Sequence, residues 1–146
     1  MGQFIKKYSF AKRLEESSRI LKKFPNRIPI ILEKYNSKGN IPEINKTKYL
    51  VSSDLTVGQF IYVIRKKLNL KAEQAIFLFI DNTLPLVSST IGIIYEQHRN
   101  KDRFLYVTYS DENTFGTINW TSYLFFITQQ YITFFKSNRP YYELIL

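Results

Sequence analysis

The sequence contains no cysteine and a single histidine, His98, among its 146 residues. Disulfides, thiolate metal sites and a thioester carried by the chain itself are therefore excluded, as is a metal site built on a pair of histidines. The five glycines are too scattered to form a phosphate-cradling loop, and no Gly-x-Ser-x-Gly nucleophile motif is present. These absences give no reason to regard the chain as an enzyme, and we expect no cofactor and no metal.

Positive charge is abundant and unevenly placed in a chain whose length suits one domain with a substantial core. The net charge is +9, and residues 1–38 contain ten lysines and arginines against three glutamates. Such asymmetry is typical of proteins with an acidic partner, anionic lipid or nucleic acid, but a solvated helix face explains it equally well. Because no nucleic-acid-binding motif accompanies the charge, we expect no nucleic-acid partner.

The N-terminal part of the chain predicts a helix followed by a strand. Ser9 is a suitable N-cap, and Pro25-Asn26 should end the helix. Residues 27–34 then read as a strand with Ile28, Ile30 and Leu32 on one face. Because Pro29 has no N–H, the strand should be unpaired on one side at that point.

The middle of the chain contains a strong helix start. Thr56-x-x-Gln59 forms a capping box, and Leu55 can pack on Phe60 across it. The other expected elements are strands at 48–51, 75–80 and 104–109 and a short helix around residues 91–95. Two strands, a helix across them and further strands indicate an α+β grasp arrangement.

The strand at 104–109 is followed by the small polar residues 110–114 and then by Phe115 and Gly116. We expect the chain to leave the fold at Ser110 and to carry Gly116 on a short arm. A glycine suits the narrow slot of a modifying enzyme because no Cβ blocks approach to its carbonyl. A turn before a further strand is the more common role of a lone glycine.

Residues 117–146 differ in character from the rest of the chain. They carry three charged side chains and nine aromatic ones, with no helical or strand period. Their apolar run of 13 residues is shorter than the ~20 that span a bilayer. We predict a poorly ordered extension that is removed from, or absent in, the working protein. The alternative is a hydrophobic tail that helps to hold a precursor on membranes.

Residues 4–116 resemble, in order and spacing, the autophagy ubiquitin-like modifiers, the family that includes GABARAP and the microtubule-associated light chain proteins. The residues that carry the resemblance are Asn26-Arg-Ile-Pro29, Ile41-Pro-Glu-Ile44, Lys48-Tyr-Leu-Val51, Asp54-Leu-Thr-Val-Gly-Gln-Phe60, Ile64-Arg-Lys-Lys67 and Phe104-Leu-Tyr-Val-Thr-Tyr-Ser-Asp-Glu-Asn-Thr-Phe-Gly116. The resemblance implies an α+β, ubiquitin-like β-grasp with two additional N-terminal helices. Residues 1–25 would form the helical subdomain, residues 26–116 the β-grasp and residues 117–146 the extension.

The resemblance also implies a modification at Gly116. In this family a cysteine protease cuts after the glycine, here between Phe115-Gly116 and the extension. Activating and conjugating enzymes then attach the glycine carboxylate to phosphatidylethanolamine, and the protein acts in autophagosome membrane formation. Its two acyl chains suffice for stable anchoring. The protein would be cytoplasmic, and would lie on an autophagosome or related organelle membrane when lipidated.

A second implied activity is the recruitment of proteins with an aromatic-x-x-aliphatic motif flanked by acidic residues, added as a strand beside residues 48–51. By position, the aromatic pocket would consist of Glu16, Ile20, Pro29, Ile31, Lys48, Leu50 and Phe104. The aliphatic pocket would consist of Tyr49, Val51, Leu55, Phe60 and Val63. Arg27, Lys46 and Lys48 are the candidates to meet the acidic groups. An ordinary core position is the alternative for each apolar member, and for Ile31, Phe60 and Val63 it explains the residue equally well. Tyr49 and Lys48 are the stronger binding candidates, because a short strand has little other need for them.

Three hypotheses remain open from the sequence. The first is a lipid-conjugated modifier and adaptor. The second is an unconjugated ubiquitin-like binding module with a permanent C-terminal extension, in which Gly116 is inert. The third is a basic protein of nucleic-acid or membrane surfaces, and it rests on charge alone.

Overall fold

The computed structural model describes residues 2–35, 40–111 and 144–145. The helices are α1 (Gln3–Lys7), α2 (Phe10–Lys23), α3 (Val57–Lys67) and α4 (Ile91–His98). The strands are β1 (Arg27–Lys34), β2 (Lys48–Ser52), β3 (Phe77–Phe79), β4 (Leu105–Ser110) and β5 (Leu144–Ile145). The predicted succession of a helix, two strands, a helix and further strands is confirmed.

The strands form one mixed sheet in the order β3-β4-β1-β2-β5. β1 lies in the centre, antiparallel to β2 and parallel to β4, while β3 is antiparallel to β4. β1 pairs with β2 from Arg27 to Ile31, but it pairs with β4 only from Ile30 onward. Pro29 therefore sits where β1 has one neighbour, as its missing N–H requires.

The predicted helix caps are present. The Ser9 hydroxyl accepts a hydrogen bond from the backbone N–H of Lys12 at the start of α2. At α3 the capping box is reciprocal. The Gln59 N–H donates to Thr56 Oγ1 over 3.2 Å, and the Thr56 N–H donates to Gln59 Oε1 over 2.9 Å. Each bond satisfies a donor that the first helical turn leaves without a partner.

The sheet buries both of its faces, so the core has two parts. The larger part lies under α3 and α4 and includes Ile28, Ile30 and Leu32 from β1, which confirms their predicted common face. The smaller part lies under the N-terminal helices and consists of Phe4, Ile20, Ile31, Leu50 and Phe104. Alternation along β1 and β2 sends successive side chains to these two parts.

Three features of the fold differ from the sequence prediction. β3 spans three residues and not 75–80, because only Phe77–Phe79 find partners in β4 before the chain turns at Asp81 and Asn82, both with positive φ. Ser110 does not leave the fold but ends β4, opposite Phe77, and is buried. The pairing of Leu144–Ile145 with β2 is a further difference, since no strand is expected after Gly116.

Candidate functional site: the edge of β2

The candidate site is the side of β2 that faces away from β1, here called the β2 edge. The other side of the strand is covered by β1 over the whole of Lys48–Ser52. On the β2 edge itself, Tyr49 and Leu50 pair with β5. Apart from this two-residue pairing, no strand of the described residues pairs with β2 on this side.

One face of the sheet at β2 carries residues that were predicted to form the aromatic pocket. Leu50 packs there with Ile20 of α2, Ile31 of β1 and Phe104, all of them at most 6% exposed. Pro29 is also buried, opposite Leu50 in the ladder. Phe4 of α1 completes this apolar surface, with its ring centroid 5.6 Å from that of Phe104. Phe4 was missed by the sequence analysis, which assigned α1 no binding role.

The opposite face carries residues that were predicted to form the aliphatic pocket. Tyr49 and Val51 project to the α3 side of the sheet, and the Tyr49 and Phe60 rings meet edge to face at 5.9 Å. Leu55 packs partly buried against the same cluster, and Val63 is half-buried on α3. The structure thus places the two predicted sets on opposite faces of one strand. Tyr49 and Leu50 are 1% and 0% exposed, so they are core residues whatever else they do.

Two apolar surfaces on opposite faces define the spacing of a ligand strand. In an extended chain successive side chains alternate between faces, so residues i and i+3 lie on opposite faces and residues i and i+2 share one. A strand added at the β2 edge could therefore place its first residue over one face and its fourth over the other.

The charged residues predicted to meet a ligand at this edge differ in their exposure and in their contacts. Lys48 Nζ lies 2.6 Å from Glu16 Oε1, and both side chains are about one quarter exposed. The same ammonium lies over the rings of Phe4 and Tyr8, at 5.4 and 5.5 Å from their centroids. Lys46 is exposed just before β2, and Arg27 is half-buried at the start of β1. An acidic peptide would have to compete with Glu16 for Lys48 but would meet Lys46 in water.

A buried ion pair that the sequence analysis did not predict fixes α2 beside this site. Arg13 Nε donates to Asp102 Oδ2 over 2.7 Å, and the Tyr106 hydroxyl donates to the same oxygen over 2.6 Å. Asp102 is fully buried, and its backbone carbonyl accepts from the Ser17 hydroxyl. The hydrogen bond to Asp102 raises the pKa of Arg13, while burial and then the bond to Asp102 raise the pKa of Tyr106. The residues lie 89 positions apart, so no local spacing could have revealed the pair.

Phe115 and Gly116, the predicted cleavage and conjugation residues, lie outside the described residues. In the part of the chain that is described, no cluster of histidine and acidic side chains could hold a metal ion. No helix among the same residues has the length and hydropathy needed to cross a membrane.

Comparison with known proteins identifies the family. Residues 12–116 match the model of the family described as autophagy protein Atg8, ubiquitin-like. The chain belongs to the Atg8 family. Autophagy-related protein 8 of Vanderwaltozyma polyspora is 57% identical over 117 residues, which are 80% of this chain and 98% of the relative. The Schizosaccharomyces pombe protein of the same name is 57% identical over 117 residues, covering 80% and 96%.

Solved structures agree with the sequence relatives. The crystal structure of Trypanosoma brucei ATG8 superposes with a TM-score of 0.72 at 38% identity, covering 80% of this chain and 99% of that one. Plasmodium falciparum Atg8, solved in complex with a P. falciparum Atg3 peptide, gives a TM-score of 0.71 at 33% identity, covering 77% and 98%. The predicted ubiquitin-like α+β fold with N-terminal helices is confirmed. The chain is an autophagy-related ubiquitin-like protein of a family of modifiers rather than enzymes.

Proposed function

We propose that this protein is an autophagy modifier that is cut after Gly116, conjugated to phosphatidylethanolamine and used to recruit proteins through the β2 edge. The observation that carries the recruitment is that apolar clusters lie on opposite faces of β2, beside the β2 edge. The conjugation is supported by the family membership and by the family match that ends at Gly116.

The partners of the conjugation follow from this scheme. A cysteine protease would expose the Gly116 carboxylate, and activating and conjugating enzymes would transfer it to the lipid amine. The complex of the P. falciparum relative with an Atg3 peptide supports direct contact with a conjugating enzyme. The unmodified protein would be cytoplasmic, and the lipidated protein would lie on an autophagosome or related organelle membrane.

The conjugation is tested by replacing Gly116 with Ala in the full-length chain. A methyl group at this position should block cutting or conjugation, because the modifying enzymes must approach the carbonyl closely. The measurement is the intact mass of the protein recovered from its own cells, together with its lipid-linked fraction. Normal lipid attachment by the Gly116→Ala protein, or a full-length chain that is never cut, would contradict the proposal. The latter result would favour an unconjugated binding module.

The recruitment is tested with an acidic peptide that contains Trp-x-x-Leu, here called the probe peptide. A second peptide with one intervening residue deleted, Trp-x-Leu, is the matched control. Because residues i and i+2 share a face, the control cannot reach both apolar surfaces and should bind at least ten-fold more weakly. Equal affinities of the two peptides would show that the ligand does not bind the β2 edge with one anchor side chain on each face.

The charges near the edge are tested by reversing Lys46. Lys46→Glu should weaken the probe peptide a few-fold and reduce the salt dependence of its binding, because an exposed attraction becomes a repulsion. Lys101→Glu is the matched control, since Lys101 is an exposed lysine before β4, which lies on the other side of β1 from β2. The same change in affinity in both variants would mean that only net charge matters.

A further inference from the structure

The β2 edge already has an occupant from the same chain. Leu144 and Ile145 form an antiparallel pair with β2, with Ile145 opposite Tyr49 and Leu144 opposite Leu50. We propose that this C-terminal segment is an intramolecular ligand that keeps the full-length chain closed to peptide partners until residues 117–146 are removed. The inference rests on the proposed recruitment at the β2 edge and adds its regulation.

The sequence of the segment fits the requirement that the edge imposes. Tyr142-Glu-Leu-Ile145 places an aromatic and an aliphatic residue three positions apart, with an acidic residue between them. Residues three apart in an extended chain lie on opposite faces, and the two faces of β2 each carry an apolar cluster. Tyr142 and Glu143 themselves lie outside the described residues, so this match is one of sequence alone. Residues 117–141 contain no acidic residue, so the only carboxylate side chain of the extension is the one inside this segment.

The covalent connection is long enough for the pairing. Residues 111–143 separate the end of β4 from β5, and 33 extended residues can span about 110 Å. A domain of about 100 residues has a radius of gyration of only ~13 Å. The connection therefore permits the antiparallel register without tension.

The expected strength of the closure is moderate. A covalent connection gives an effective concentration of about 1 mM, and a short added strand with a dissociation constant of ~0.1 mM would then be bound most of the time. Competition by such a segment lowers the apparent affinity for another peptide about ten-fold. That is enough to bias the precursor against partners but not to block a tight ligand.

Closure by the tail would couple two steps of the proposed function. Cutting after Gly116 would both free the glycine carboxylate and release the segment that covers Tyr49 and Leu50. Peptide partners would then be recruited by the processed protein rather than by its precursor. Until then, the pairing would also cover an edge strand that could otherwise pair with other chains.

The test uses the full-length chain with Leu144→Pro and Ile145→Pro. In an antiparallel pair only one of two adjacent residues donates its N–H to the partner strand, and the double substitution removes that N–H whichever residue supplies it. The matched control is Ser137→Pro with Asn138→Pro, which removes two N–H groups of the extension outside β5. Two quantities are measured in each protein: the affinity for the labelled probe peptide, and the amide hydrogen exchange of residues 48–52. Unchanged thermal transitions confirm that the variants fold.

We expect the β5 variant to bind the probe peptide about ten-fold more tightly than the parent. The amide hydrogens of residues 48–52 should also exchange faster in this variant. The control should behave as the parent. A synthetic peptide of residues 138–146, added to the β5 variant, should restore the protection and compete with the probe peptide. Equal affinity and equal exchange in parent and β5 variant, or failure of the synthetic peptide to compete, would overturn the proposal.

Failure of the recruitment itself gives a different pattern. If no protein binds the probe peptide but the β5 variant still loses protection over residues 48–52, the segment does cover β2 and the proposed recruitment is wrong. If all the proteins bind the probe peptide equally and exchange equally, the recruitment stands and the closure is wrong.

Discussion

Replacing Asp102 with Ala would leave the guanidinium of Arg13 buried without its carboxylate. The side chains of Arg13 and Asp102 are 9% and 0% exposed, so water cannot replace the lost partner. The same substitution removes the acceptor of the Tyr106 hydroxyl and of the Phe104 backbone N–H. Because these groups join α2 to the start of β4, the change tests what holds the N-terminal helices on the sheet.

The magnitude follows from burial. Removing one partner of a buried ion pair typically destabilises a protein by 3–5 kcal/mol, roughly. Arg13 Nη1 keeps the backbone carbonyls of Ile5 and Tyr8 as acceptors, which places the expected loss near the lower end, about 3 kcal/mol. For a domain of this size such a loss lowers the thermal midpoint by roughly 10 °C.

The assay is urea unfolding followed by circular dichroism, with the free energy of unfolding and the m value fitted for each protein. Glu96→Ala is the matched control, because it breaks an exposed pair in which the Arg99 and Glu96 side chains are 50% and 67% exposed. Its expected loss is under about 0.5 kcal/mol. A loss of less than ~1 kcal/mol for Asp102→Ala at an unchanged m value would refute the reasoning, because a buried, unpaired guanidinium should destabilise the fold more than that.

Three further predictions concern stability. Thr56→Ala should lower the free energy of unfolding by about 1 kcal/mol in the same assay, because it removes the acceptor for the Gln59 N–H, and an unchanged value would show that the cap is unimportant. Gly92→Ala should destabilise by ~1–3 kcal/mol, because the new Cβ would lie 3.0 Å from the Ser53 carbonyl oxygen; a stabilised variant would contradict that contact. Burial raises the pKa of Tyr106 above its ordinary value of 10.0, so its contribution should be present below pH 10 and lost as pH rises beyond it. Circular dichroism melts from pH 8 to 11 check this, and a thermal midpoint that does not fall above pH 10 would contradict it.

Much of the fold was predictable because it depends on local rules. The caps at Ser9 and Thr56 involve groups three residues apart, and the alternation of Ile28, Ile30 and Leu32 is visible within one strand. The missing N–H of Pro29 similarly predicted where β1 has a single neighbour. The candidate site residues came from a family resemblance, which places residues by position without knowing their contacts. Their roles, and that of Gly116, stay predictions.

The tertiary structure alone decided the features that join distant segments. Nothing near Arg13 or Asp102 in the sequence predicts their contact, because it depends on how α2 packs beside β4. Strand ends also depend on distant partners, since β3 begins at Phe77, opposite Ser110 at the end of β4. The pairing of Leu144–Ile145 with Tyr49 and Leu50 is the clearest case. A two-residue strand has too few side chains to show a period, so its place is determined by the backbone groups that the β2 edge offers it.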